Sequence, residues 1–237
     1  MPSAADLETS VENLFSTTFN ERDGRVVPTS TDVALKDGAV KIDATFLYAD
    51  LAGSAKLSKV CPWSTTAKII RAFLDCSTRL IRARGGEIRS FDGDRVMGVF
   101  IGDSKNTAAA HCGREINYAV TQIIASKAKA HFRSIRNNDI EIRHAVGIDT
   151  GDVRAVRAGI RANNDLIWIG KPASFAAKMS DLREAPYFTF ISKGVHDVMH
   201  KDAKYAKDSG EYMWEERTWE FAGVKETIYR SSWWKRP

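Results

Sequence analysis

Thr45-Phe46-Leu47-Tyr48-Ala49-Asp50-Leu51-Ala52-Gly53-Ser54 reads as an apolar strand that ends on an acid and runs into a turn. Further along, Gly85-Gly86-Glu87-Ile88-Arg89-Ser90-Phe91-Asp92-Gly93-Asp94-Arg95-Val96-Met97-Gly98-Val99-Phe100 sets a second acid, Asp94, in a tight turn between two apolar stretches. Two carboxylates at the ends of neighbouring strands can hold a pair of hard divalent cations, and such a pair can drive in-line displacement at a phosphate. Nucleotide chemistry is therefore the first expectation.

Working outward, Ala44 to Asp50 is expected as a strand and Pro62 to Arg84 as a helix. Ile69, Ile70, Phe73, Leu74, Leu80 and Ile81 lie on one face of that helix, and Gly85-Gly86 ends it. Glu87 to Phe91 and Arg95 to Phe100 form a hairpin around Asp92-Gly93-Asp94. Asn106 to Phe132 is a second helix, with Ile116, Ala119, Val120, Ile123 and Ile124 aligned. Ile140 to Asp149 and Val153 to Ile160 are expected to form another hairpin through Thr150-Gly151-Asp152. A short strand at Leu166 to Ile169, a helix at Ala173 to Leu182 and strands at Tyr187 to Ile191, Tyr212 to Phe221 and Glu226 to Tyr229 follow. The order strand, helix, hairpin, helix, strand is that of a ferredoxin-like αβ sandwich, α+β in class, with a βαββαβ core and additional strands.

Residues 1–40 read as an N-terminal extension and linker, and 41–237 as the catalytic domain. Ala4 to Phe19 has helical spacing at Leu7, Val11, Leu14 and Phe15, whereas Asn20 to Gly38 is polar, carries Pro28 and promises little regular structure. The chain has 237 residues, 43% of them hydrophobic and 27% charged, ordinary values for a soluble globular protein. No apolar run approaches the roughly 18 to 20 residues needed to span a bilayer. The start of the chain lacks the basic and apolar regions of a secretory signal. Cys61, Cys76 and Cys112 have no metal-type spacing and read as reduced thiols of a cytoplasmic protein. A net charge of +5 suits general solubility or an anionic ligand such as a triphosphate; no nucleic-acid motif accompanies it, so direct nucleic-acid binding is not expected.

Side chains alternate along a strand, so Phe46, Tyr48 and Asp50 share one face. A second, less favoured reading makes Asp50 a helix cap before Gly53-Ser54 and Tyr48 a core aromatic. Asp92-Gly93-Asp94 alone is also a common hairpin turn. The combination is what points to a site: an acid-ended strand, a long helix stopped by Gly-Gly, then an acidic hairpin.

In that combination the chain resembles the class III nucleotidyl cyclases. Phe46 to Leu57 is similar to their metal-binding opening and Gly85 to Phe100 to their second metal segment. Val146-Gly147-Ile148-Asp149-Thr150-Gly151-Asp152 is similar to their central hairpin. Ile169-Gly170-Lys171 through Ala176-Ala177-Lys178-Met179 is similar to the helix that bears their transition-state residues. The matches span roughly Ala44 to Ile191 in the family's order. The resemblance implies two divalent cations, Mg²⁺ or Mn²⁺, on Asp50 and Asp94 with the backbone carbonyl of Leu51. It also implies a homodimer with sites at the interface, Asp50 and Asp94 coming from one subunit and Ser174 and Lys178 from the other.

The departures from the family narrow the substrate. Purine cyclases use a lysine before the second metal aspartate and an aspartate or threonine ahead of the Ile-Gly pair to read the base; here those places hold Ser90 and Ile167. The family's transition-state asparagine and arginine become Ser174 and Lys178, four residues apart and so on one helix face. Arg95 follows the second aspartate, where the family has a small residue, and Tyr48 adds bulk before the first. Both suit a smaller base with carbonyl acceptors, while Arg95 equally suits neutralising nearby acids or phosphate. This pattern resembles the pyrimidine cyclases of bacterial Pycsar anti-phage systems. It implies cyclic UMP or cyclic CMP as an alarm signal, with UTP favoured over CTP. A separate effector, commonly a membrane protein, would sense the product. Two other readings stand beside it: a non-catalytic nucleotide-binding module of the same fold, and a purine cyclase with unusual base readers.

Overall fold

The computed structural model describes all residues, Met1–Pro237. In chain order the elements are α1 (Ala4–Phe15), β1 (Asn20–Asp23), a 3₁₀ turn (Ser30–Asp32), β2 (Gly38–Ala52), α2 (Ser54–Val60), α3 (Trp63–Ala83), β3 (Glu87–Asp92) and β4 (Arg95–Phe100). Then come α4 (Lys105–Tyr118), a π-helical segment (Ala119–Ile124), α5 (Ala125–His131), α6 (Arg133–Asn137), β5 (Arg143–Ile160) and β6 (Asn163–Ile169). The chain closes with α7 (Lys171–Met179), β7 (Thr189–Ser192), α8 (Lys193–Val198), α9 (Lys201–Lys204), β8 (Glu215–Phe221) and β9 (Val224–Ser231). Two compact units result: Asp43–Gly151 with Lys171–Pro237, and Met1–Ile42 with Asp152–Gly170.

The larger unit holds the sheet in the order β3-β4-β2-β5-β7-β9-β8. Its first four strands, with α3 and α4 as crossovers, have the neighbour order of a ferredoxin-like βαββαβ sandwich. β2 pairs antiparallel with β4, Thr45 opposite Phe100 through Asp50 opposite Arg95. β5 pairs parallel with β7 through Val146–Thr189, Gly147–Phe190 and Ile148–Ile191. Leu47, Ala49 and Leu51 of β2 pack with Ile69, Phe73 and Ile81 of α3 and Ile116 of α4 in one core. A second, smaller core joins Phe175 and Met179 of α7 to Phe190 and Ile228. The sheet thus buries one face under α3 and α4 and gives part of the other to α7. No helix is long and apolar enough to cross a membrane.

The smaller unit pairs β1 with the start of β2 in parallel, Asn20 opposite Gly38 through Asp23 opposite Lys41. The segment 20–38, expected to hold little regular structure, therefore contains a strand. Arg154 to Ile160 of β5 pair with β6. α1 starts with a capping box in which the Asp6 N–H donates to Ser3 Oγ at 3.2 Å and the Ser3 N–H to Asp6 Oδ2 at 2.8 Å. It buries none of its residues.

Two local expectations are corrected. The hairpin through Thr150-Gly151-Asp152 does not form: β5 runs unbroken from Arg143 to Ile160. Gly151 has φ +145°, which lets an extended chain bend without reversing. The reversal comes at Arg161-Ala162, where Ala162 has φ +70°, on a residue that gives no turn signal. The second helix is also not uniform. Its π-helical segment widens the turn, so Ile116, Ala119, Val120 and Ile124 are buried while Ile123 is 43% exposed.

Candidate active site

β3, β4 and β2 lie side by side, and their register writes two cross-strand rows. One is Ser90–Met97–Tyr48 and the next Asp92–Arg95–Asp50. Residues paired across strands share a face, as do alternate residues along one, so the six side chains belong to a single face. That face is opposite the one on which Ala49 and Val96 enter the core beneath α3. Asp94 completes the loop between β3 and β4, and its carbonyl accepts the Leu51 N–H at 3.3 Å.

Asp50 is 7% exposed. Its carboxylate meets two guanidinium groups. Arg95 Nε donates to Oδ1 at 3.4 Å, and Arg183 Nη2 donates to Oδ2. Arg95 also donates through Nη2 to Asp181 Oδ1. Arg183 is steadied by backbone carbonyls, its Nη1 donating to Ser180 at 2.7 Å and Leu182 at 3.0 Å. Burial pushes the Asp50 carboxyl above its ordinary pKa, and the charge of Asp94 adds to the rise, while Arg95 and Arg183 oppose it. Burial alone would lower the pKa of Arg95, but Asp50 and Asp181 outweigh it and leave it raised. Tyr48 is half-buried; burial raises its phenol, against the pull of Arg95.

Five of the expected residues, Tyr48, Asp50, Ser90, Asp94 and Arg95, therefore gather at one edge of the sheet. Lys178 joins indirectly, its Nζ lying 3.8 Å from Asp181 Oδ2. Ser174 does not join within this chain: it is exposed on α7 and its hydroxyl donates to the Lys171 carbonyl at 3.1 Å. Within the chain itself Arg95 neutralises two acids, Asp50 and Asp181. Asp181 and Arg183 were not anticipated. They follow α7 directly, and the only sequence signal is a charged Ser180-Asp181-Leu182-Arg183 run where an apolar helix gives out.

The donor set fits a hard divalent cation. The two carboxylates and the Leu51 carbonyl are all oxygen ligands, and the repulsion between Asp50 and Asp94 is what a cation would relieve. No three side chains among His, Cys, Asp and Glu gather into a metal cage. A cation here would take its remaining ligands from water or from a substrate's phosphates, as magnesium commonly does.

No protein-family model matches the chain. A uridylate cyclase of Rhodovulum sp. (strain MB263) is 47% identical over 232 residues, covering 98% of this chain and 97% of the relative. A uridylate cyclase of Burkholderia cepacia is 39% identical over 235 residues, 98% of each. Among solved structures, the guanylyl cyclase Cya2 superposes with a TM-score of 0.67 at 18% identity, over 83% of this chain and 95% of that one. The fold is thus that of the class III cyclases, and identity of this extent over almost the full length makes the chain a nucleotidyl cyclase that belongs to the uridylate cyclase family.

Proposed function

We propose that the chain converts UTP to 3′,5′-cyclic UMP and pyrophosphate. The observation that carries this reading is the row Asp92–Arg95–Asp50 with Tyr48 beside it. It sets Asp50 and a guanidinium on one face, next to Asp94 in the β3–β4 loop, in a chain that aligns over almost its full length with uridylate cyclases. Uracil offers two carbonyl acceptors, which suit the donors of Arg95 and the hydroxyl of Tyr48. Ser90 stands where the purine cyclases place a base-reading lysine and offers no ammonium to a purine.

Two cations, Mg²⁺ or Mn²⁺, held by Asp50, Asp94 and the Leu51 carbonyl, would supply activation of the ribose 3′-hydroxyl and neutralisation of the triphosphate. The residues do the rest. Asp50 enters substrate-free, its charge satisfied by Arg95 and Arg183. When UTP arrives, Arg183 has the triphosphate oxygens to bind and Arg95 the uracil carbonyls, and Asp50 is released to its ligand role. The 3′-hydroxyl gives up its proton to solvent, its oxygen attacks the α-phosphorus, the bond to the bridging oxygen breaks, and pyrophosphate leaves.

The rest of the reading follows the family resemblance. The enzyme works as a homodimer, with Ser174 and Lys178 of one subunit facing Asp50 and Asp94 of the other; both side chains are exposed, as such a role requires. Residues 41–237 carry catalysis, and 1–40 are an extension. Cyclic UMP acts as an alarm in anti-phage defence, is made in the cytoplasm, and is read by a separate effector, a membrane protein being the expected class. Phosphorus NMR of UTP incubated with the protein and Mn²⁺ tests the reaction. One cyclic phosphodiester and one pyrophosphate should appear per UTP consumed. UDP or linear UMP without a cyclic product would refute it.

A further inference from the structure

On the helical side of the sheet, a cleft of about 600 Å³ lies between the C-terminal tail, α4 and α9. None of its lining residues belongs to the Asp50 site. The tail forms one wall and is tied down. Lys235 N–H donates to the Arg114 carbonyl at 3.0 Å, and Asn117 Nδ2 to the carbonyls of Ser232 and Trp233 at 3.2 and 3.1 Å. The rings of Tyr118 and Trp234 are 5.1 Å apart.

Arg114 is the unusual member of the lining. It is 4% exposed and has no carboxylate within 4 Å; Glu115 and Asp202 attract it only from further off. Its contacts are neutral: Nη1 donates to Met213 Sδ at 2.6 Å, and Nη2 lies 2.9 Å from His111 Nδ1. Its Nε has no partner. His111 stays uncharged, its pKa lowered to about 4 by burial and by the charges of Lys235 and Arg114. The neighbouring acids are engaged elsewhere. Glu115 accepts from Arg84 at 2.9 Å and lies 3.5 Å from Lys235. Asp202 lies 3.0 Å from His200 Nδ1 and 3.4 Å from His111 Nε2. A buried cation whose counter-ions, Glu115 and Asp202, stand beyond contact is costly, and a donor left unpaired adds to the cost. A bound anion removes both penalties.

The rest of the lining extends the match. Lys207, Lys235 and Arg236 join Arg114, so four cations face two carboxylates, Asp202 and Asp208. Tyr205 and Trp234 present rings that are 47% and 48% exposed. The volume falls in the range of about 300 to 1,000 Å³ typical of small-molecule sites. We propose that this cleft is a second ligand site that takes a mononucleotide, phosphate toward Arg114 and Lys235 and base against the open ring of Trp234 or Tyr205.

Calorimetric titration of the full chain tests this, with EDTA present so that cation-dependent binding at Asp50 is silent. The probes are UMP, 3′,5′-cyclic UMP, AMP and inorganic phosphate. Saturable binding of at least one nucleotide, tighter than phosphate, is expected, and the ranking identifies which. It should persist in Asp50→Asn and weaken at least about tenfold in Arg114→Gln. Because Arg114 is buried, Trp234→Leu is the second variant; it should weaken nucleotide but not phosphate binding at an unchanged melting temperature. Absence of nucleotide binding at low millimolar concentration would overturn the proposal. So would binding that survives both cleft variants but not Asp50→Asn.

Discussion

Asp50 sits where opposing demands meet: burial and Asp94 favour its protonated form, and two arginines hold it ionised. The ion pairs are not structural necessities, because the Arg95 and Arg183 side chains keep 25% and 41% of their exposure and can turn to water. Asp50→Asn should therefore cut turnover by about a thousandfold or more, the several kcal/mol expected of lost metal-assisted charge stabilisation, with little change in melting temperature. Steady-state kinetics beside a thermal melt checks both halves. Asp149 offers a pH-dependent test away from this site. Burial raises its pKa from 3.8 to about 6, against the Ser192 hydroxyl and the Thr150 N–H. A pKa raised in the folded state favours the protonated form there, so the stability it contributes is full below pH 3.8 and is lost as pH rises through about 6. Asp149→Asn should be more stable than the parent at pH 7, by up to about 3 kcal/mol, with the gap closing toward pH 4. Urea denaturation at both pH values measures it. The aspartates were legible in the sequence because Asp50 closes an apolar run and Asp94 sits in an acidic hairpin turn. Arg183 was not, because it reaches Asp50 from 133 residues away and only the packing of α7 brings it there.

At the scale of elements, periodicity and glycine placement exposed most of the sheet and both long helices. Hairpin β3–β4 was readable because its acidic turn coincides with its reversal. β5 was misread because Gly151 bends a strand that Ala162 turns. The π-helical segment was invisible because its apolar residues fit an ordinary helix nearly as well, and only Ile123 betrays the added residue. The packing of β5 against α7 has a sharp test at Gly147. A Cβ there would lie 2.1 Å from the Ala176 carbonyl oxygen and 2.6 Å from Ser180 N. α7 would have to withdraw, and the Ser180 carbonyl that steadies Arg183 with it. Gly147→Ala should cost about 1 to 3 kcal/mol or more of stability and lower kcat in the folded fraction. A melt and an activity assay that both match the parent would show that α7 does not depend on this contact.

At the scale of the molecule, the proposed sharing of sites between subunits has a consequence that a self-contained site lacks. Asp50→Asn and Lys178→Ala should each be nearly inactive alone. Mixed and allowed to exchange, they should regain up to about a quarter of the parent activity, since half the dimers are hybrids with one intact site each. No recovery despite proven exchange would mean that Lys178 serves its own chain's Asp50, through Asp181. The proposed preference for UTP rests on Tyr48 and Arg95 reading a pyrimidine, with Ser90 in place of a purine-reading lysine. The most direct measurement is competition: equimolar ATP, GTP, CTP and UTP with Mn²⁺ in one tube, products resolved by mass spectrometry. Cyclic UMP should dominate; a dominant cyclic AMP or cyclic GMP would contradict the account.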